Sequence, residues 1–144
     1  MPWVLRVVEL SFHPRPGTVL LCDYELSRSA RIPHEMTKQR PVVVLSRRWR
    51  RQFDPVIVVP LSTSAPMRPD ERHVRIAAGS YDFLRSDVDS WAKCEFVCAV
   101  GQQRLDWLRR RGAHISPRLG ASDFRSIVRA AVCAVGGRGL LATP

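Results

Sequence analysis

The chain has 144 residues, 45% of them apolar, which is enough for one domain with its own core and too little to expect two. Lys plus Arg number 23 against 13 Asp plus Glu, a formal charge of +10 carried almost entirely by arginine. That balance points to polyanionic partners, since each phosphate neutralised releases condensed counterions, and the lack of any apolar run of bilayer length or of a basic amphipathic helix beside a lipid anchor sets a membrane role aside.

In chain order, Met1 to Leu10 is apolar but broken by Arg6 and Glu9, with no small-residue cleavage site after it. It is a poor signal peptide, so a cytoplasmic location is expected. Residues 1–16 read as a leader closed by His13-Pro14-Arg15-Pro16, residues 17–137 as a single domain, and residues 138–144 as a fraying tail. After Gly17, the run Thr18-Val19-Leu20-Leu21-Cys22-Asp23-Tyr24 predicts a buried strand ending at an acid. Glu25 to Arg40 is polar, basic and without period, a long connection of the kind that is usually functional. Pro41 to Ser46 and Pro55 to Leu61 are β-branched runs of strand length, expected to be central strands covered on both faces. His73-Val74-Arg75-Ile76 is a short alternating strand. Ala92 to Val100 alternates more cleanly, with Ala92, Cys94, Phe96, Cys98 and Val100 on one face.

Beyond Gly101 the pattern predicts a short helix through Leu105 and Leu108, carrying Arg109, Arg110 and Arg111 and stopping at Gly112. A longer helix follows, with Ser122 as N-cap, Asp123 in the first turn, and Phe124, Ile127, Val128, Ala131 and Val135 at helical spacing up to Gly136-Gly137. Short, mostly antiparallel strands followed by terminal helices describe an α+β domain with a strongly curved sheet. Cys94 and Cys98, at about 3.3 Å per strand residue, would lie about 13 Å apart, too far for a disulfide and wrong for a metal clip. With Cys22 and Cys133 they are expected to be buried thiols.

No glycine-rich phosphate loop, Gly-x-Ser-x-Gly, His-Glu-x-x-His or Cys-x-x-Cys occurs, and His13, His34, His73 and His114 lack ligand spacing. Only Asp23 and Glu35 are carboxylates near the candidate site in sequence, so metal-free chemistry without a cofactor is expected. The candidate is Lys38-Gln39-Arg40-Pro41, at the mouth of one buried strand, with Ser62-Thr63 at the end of the next. Pro41 and the strand core hold Arg40 rigidly, and a rigid guanidinium is a preorganised fork for phosphate. The alternative is an Arg40–Asp23 pair at the sheet edge, with Ser62 and Thr63 starting a turn. Trp91, Trp49 and Phe53 are candidates for stacking on bases, or for core or dimer packing.

Gly17-Thr18-Val19-Leu20, Glu35 five residues before Arg40-Pro41, Val42-Val43-Val44-Leu45-Ser46, Val59-Pro60-Leu61-Ser62-Thr63, His73 to Ile76 and Trp91 to Leu105 together resemble the MazF/PemK family of toxin ribonucleases, over about residues 17–135. The resemblance implies a small SH3-like, strongly curved, mostly antiparallel β-barrel with a C-terminal helix, the architecture the CcdB toxins share. It implies a homodimer, metal-independent and sequence-selective cleavage of single-stranded RNA, and neutralisation by a cognate antitoxin with an acidic C-terminal segment. By the same resemblance Arg40 is catalytic, Ser62 stands at the family's catalytic threonine with Thr63 beside it, and Glu35 is the family's acid. Lys38 stands where the family usually has glycine, and the leader is longer than usual there.

RNA carries its own nucleophile, the 2′-OH, so a site needs only to take that proton, stabilise the phosphorane and protonate the leaving oxygen. Arg40, with a pKa above about 12, suits electrostatic stabilisation rather than proton transfer. Ser62 would hydrogen-bond a phosphate oxygen, Glu35 or His34 is the candidate base, and Thr63, His34 and Lys38 are candidate RNA contacts. The expected products are a 2′,3′-cyclic phosphate and a 5′-OH. A CcdB-like poison of topoisomerase, or a non-catalytic module binding RNA or antitoxin, are the competing readings.

Overall fold

The computed structural model describes residues 13–25, 38–47 and 54–141. The β-branched runs become strands: β1 (Val19–Asp23), β2 (Gln39–Val44) and β3 (Val56–Ser62), followed by β4 (His73–Ile76), β5 (Ser90–Lys93), β6 (Cys98–Val100) and β7 (Leu105–Asp106). They form one antiparallel seven-stranded sheet in the order β4-β5-β3-β2-β1-β7, with β6 beside β3. β3 changes partner along its length. Val56 to Val58 pair with β6, whereas Leu61 and Ser62 pair with β5. The exchange happens around Pro60, which has no N–H to continue a ladder.

The α+β class holds, with the predicted C-terminal helix, but the sheet is not closed into a barrel. Among the described residues the hydrogen-bonded path ends at β4 on one side and β7 on the other. Two apolar clusters lie on its two faces. One gathers Val19, Val43, Val59, Leu61, Ile76 and Ala92 under the helix α1 (Ala121–Ala134), whose Ile127, Ala130 and Ala131 are buried against them. The other gathers Leu20, Cys22, Tyr24, Val42, Val44, Val56 and Val58 with Val100 and Leu105. Strict alternation along β1, β2 and β3 produces this division, since successive side chains point to opposite faces. Ile57 departs from the expectation of full coverage: it is 42% exposed.

Three further expectations are corrected. The segment read as a helix before Gly112 is a ribbon, β8 (Leu108–Arg110) paired with β9 (Ala113–Ile115). Arg111 and Gly112 both have positive φ, 49° and 77°, the backbone of a two-residue hairpin turn rather than of a helix end. The strand read from Ala92 to Val100 is interrupted by a 3₁₀ turn at Cys94–Phe96. Cys94 stays on the helix side with Ala92, where its Sγ donates to the Ile127 carbonyl at 3.6 Å, while beyond the turn Cys98 packs on the opposite cluster. The two thiols therefore do not share a strand face, and Cys98 and Cys133 are only partly buried. Finally, the residue before α1 is Gly120 rather than Ser122, and no side chain caps it from within the helix. The Tyr81 hydroxyl does that work, accepting from the Gly120 N–H at 2.9 Å and donating to Asp123 Oδ2 at 2.6 Å.

Gly17 joins the two ends of the fold. Its N–H donates to the Val44 carbonyl at 2.7 Å, its carbonyl accepts from Leu119 at 3.0 Å, and its φ of 84° lies in the left-handed region that glycine adopts without steric cost. Among the described residues no helix is long and apolar enough to cross a membrane.

Candidate active site

β1 and β2 pair with Cys22 opposite Arg40 and Asp23 opposite Gln39. Paired residues of an antiparallel ladder share a face and successive residues alternate, so Arg40 lies on the face of Cys22 and Tyr24, and Asp23 on the other. The sheet-edge pair of Arg40 with Asp23 is therefore disfavoured by register. The Asp23 carboxylate instead accepts from the Glu25 N–H at 2.9 Å and its carbonyl from Arg104 Nη1 at 3.1 Å, which holds the turn after β1.

β2 and β3 are paired through Val42 opposite Pro60. Two residues beyond this last pair, Arg40 and Ser62 stand on the same face as Val42 and Pro60, at the ends of their strands where the β2–β3 ladder stops. Pro41 and Pro60 remove two backbone donors here, which weakens the ladder beyond this point. Arg40 is half-buried. Ser62 is 6% exposed; its Oγ accepts from the Ser64 N–H at 3.2 Å, an interaction that leaves the hydroxyl proton uncommitted. Thr63, next along, is exposed. Lys38 has φ 66°, and its carbonyl accepts from the Tyr24 N–H at 3.1 Å. The chain thus enters β2 through a left-handed residue, the conformation a glycine would supply at lower strain.

Among the described residues, two desolvated groups share the face of Arg40. Burial pushes the Cys22 thiol up to about 12, helped by Cys98 close by. Burial also raises the Tyr24 hydroxyl far above its ordinary range, with the positive charge of Arg40 pulling the other way. Both groups stay protonated at neutral pH, and both lie on the face from which the guanidinium projects. His34 and Glu35, the candidate bases, lie outside the described residues, as do Trp49 and Phe53.

Three features of the site are set by tertiary structure. β5 sets Trp91 opposite Ser62, and β4 sets Arg75 opposite Trp91, so the pair Cys22–Arg40 and the row Ser62–Trp91–Arg75 lie on one face of adjacent strands, in line by the β2–β3 register. Alternation puts Trp91 on the strand face opposite Ala92, but nothing local names its neighbours. Tyr24 closes the first apolar run, and only the pairing of β1 with β2 sets it beside Arg40. His73, read as part of a plain strand, is held on both nitrogens: Nδ1 accepts from the Asp70 N–H at 3.0 Å, and Nε2 lies 2.5 Å from Glu95 Oε2. Its histidine-acid pairing across 22 residues has no sequence signature.

Comparison with known proteins is consistent along nearly the whole chain. Residues 15–130 match the family model of the PemK-like, MazF-like toxin of type II toxin–antitoxin systems. The Escherichia coli protein YifN is 30% identical over 148 residues, covering 92% of this chain and 98% of that protein. An uncharacterized Haemophilus influenzae protein is 28% identical over 141 residues, covering 89% and 94%. Among solved structures, a mycobacterial endoribonuclease in complex with its cognate antitoxin superposes with a TM-score of 0.59 at 20% identity, covering 92% of this chain and 100% of that one. The Mycobacterium tuberculosis toxin MazF-mt6 superposes with a TM-score of 0.54 at 20% identity, covering 83% and 96%. At these identities the structural likeness speaks for the fold.

Proposed function

This chain belongs to the PemK-like, MazF-like family of type II toxin–antitoxin toxins, and we propose that it is an endoribonuclease that cleaves single-stranded RNA at the Arg40–Ser62 row. The observation that carries the reading is the register that brings Arg40 and Ser62 to corresponding positions on adjacent strands, on one face. Arg40 stabilises charge on the phosphorane as the 2′-OH attacks. At about 4 Å and an effective dielectric of about 20, a unit charge pair contributes about 4 kcal/mol, enough to account for a loss of about 10²–10³ in rate when such a donor is removed. Ser62 donates its uncommitted hydroxyl proton to a non-bridging phosphate oxygen. Tyr24 and Cys22 remain neutral and keep the dielectric low around the guanidinium. Glu35 or His34 takes the 2′-OH proton and the departing 5′-oxygen takes one from solvent, with Thr63 and Lys38 contacting the RNA strand.

In this reading the reaction needs no metal, because nucleophile and leaving group both belong to RNA, and the products are a 2′,3′-cyclic phosphate and a 5′-OH. The protein acts in the cytoplasm as a homodimer, and a cognate antitoxin with an acidic C-terminal segment neutralises it. The mycobacterial endoribonuclease solved with its antitoxin supports an antitoxin partner, and the charge of +10 supports both polyanionic ligands. The test is incubation of a long RNA with excess EDTA, comparing the wild type with Arg40→Ala and mapping the cut ends. Cleavage by the wild type alone, leaving cyclic phosphate ends, is expected; intact RNA, or equal cleavage by both proteins, would sink the mechanism. A topoisomerase poison on the same fold would remain toxic as Arg40→Ala, which separates that alternative.

A further inference from the structure

We propose that Trp91 and Arg75 extend the RNA site across the sheet, Trp91 stacking on the base next to the scissile phosphate and Arg75 gripping the following phosphate. The proposal rests on the ribonuclease reading and goes beyond it by naming two substrate-binding residues.

Trp91 is paired with Ser62 on one side and with Arg75 on the other, so all three side chains rise from the same face. Neighbouring strands are about 4.8 Å apart, so the row from Arg40 to Arg75 spans three strand spacings, about 14 Å. That is the reach of a few nucleotides of an extended strand. An arginine at each end of the row and an aromatic ring between them match the alternation of phosphate and base along single-stranded RNA.

Among the described residues, packing does not account for Trp91. It is half-buried and belongs to neither apolar cluster, although both clusters take in every other large apolar side chain of β3, β4 and β5 except the exposed Ile57. An indole that the core leaves out, set beside a buried serine, is a platform with one face to offer. Arg75 is solvent-exposed and donates from Nη1 to Asp89 Oδ2 at 3.3 Å, with the two side chains 59% and 33% exposed. Such a pair at the surface is weak, and the guanidinium carries five N–H donors, so a phosphate can be bound alongside it. The other carboxylate oxygen of Asp89 accepts from the Ala78 N–H at 2.8 Å, which fixes the acid in the loop rather than over the indole.

The test separates binding from cleavage. A mixed-sequence, fluorescein-labelled RNA 20-mer with 2′-O-methyl groups throughout has no nucleophile and reports binding alone by anisotropy. Trp91→Val is expected to weaken binding about five- to a hundredfold and Trp91→Phe much less, because a phenyl ring still stacks. Arg75→Gln is expected to weaken binding and to reduce the slope of log affinity against log salt by about 0.7, the loss of one phosphate contact on a single strand. Cut-site mapping on natural RNA should find selectivity relaxed by Trp91→Val at the nucleotide next to the cut. Wild-type affinity in a folded Trp91→Val while Arg40→Ala binds weakly would overturn this proposal and leave the ribonuclease reading standing. A change of oligomeric state in Trp91→Val with unchanged RNA affinity would overturn it too, assigning the indole to a subunit interface. No binding and no cleavage by the wild type would overturn both.

Discussion

Ser62 and His73 are polar residues on two strands of one sheet, Ser62 6% exposed as a residue and His73 with a side chain 4% exposed. Their hydrogen-bonding capacity is used differently. His73 has both ring nitrogens engaged, by the Asp70 N–H and by Glu95, and so ties the loop before β4 to the 3₁₀ turn after β5. Ser62 accepts a single N–H and keeps its proton, beside a half-buried arginine and an indole that the core does not use. A buried polar group whose partners are all internal braces the fold; one with capacity left over, facing an arginine, is available to a ligand. The residue type that most often signals catalysis is here the structural one.

The largest expected effect that sharpens this contrast is at Arg40. Arg40→Ala should lower single-turnover RNA cleavage about 10²–10³-fold, equivalent to about 3–4 kcal/mol, with little change in the urea midpoint. An active but strongly destabilised variant would reverse the roles assigned to the two centres. His73→Ala should do the opposite: a loss of about 1–3 kcal/mol in urea denaturation, since it strands Glu95 and the Asp70 N–H, with cleavage per folded molecule unchanged. A selective loss of activity with normal stability would move His73 into the reaction.

Each centre also has a buried thiol near it, Cys22 across from Arg40 and Cys94 on the helix side, and burial pushes each from 9.0 to about 12. Above pH 9 the unfolded thiols ionise while the folded ones hold their protons, so the unfolded state binds fewer protons and stability falls as pH rises from about 9 towards 12. By pH 10 each thiol should cost about 1 kcal/mol. Urea midpoints from pH 8 to 10 for Cys22→Ala and Cys94→Ala should fall less steeply than those of the wild type. Equal slopes in all three proteins would show that neither thiol is as dry as its position implies. The smallest effect is at Lys38, whose φ of 66° places it in the left-handed region. Lys38→Gly removes about 1 kcal/mol of strain but adds about 0.5–1 kcal/mol of unfolded-state entropy, so stability should move by less than about 1 kcal/mol. Thermal melts check the first point, and retained cleavage would show that the backbone shape at the mouth of β2, rather than the lysine charge, is what the site needs.

Much of the site's outline was legible because it depends on short runs. Arg40-Pro41 before a valine run and Ser62-Thr63 after another are local patterns, and His73 to Ile76 became a strand with the same bounds. Lys38 was recognised as a departure, and the structure supplies its meaning: the backbone adopts the glycine-like conformation without the glycine. The segment from Leu105 to Gly112 misled because leucines three apart followed by a glycine suit a helix end as well as they suit a ribbon. Its decision lies in the consecutive positive φ of Arg111 and Gly112, which local composition does not encode.

The sequence by itself determined the α+β class, the three central strands, the terminal helix and the arginine at a strand mouth, because hydrophobic period and turn chemistry act over a few residues. Only the tertiary structure decided that β3 exchanges β6 for β5 around Pro60, that the sheet stays open, and that Trp91 and Arg75 continue the line of Arg40 and Ser62. Those outcomes depend on which strands pair and in what register, across separations of tens of residues. Alternation along one strand says which face a side chain occupies, but its neighbour on that face belongs to another strand, and only the hydrogen-bonded ladder chooses it.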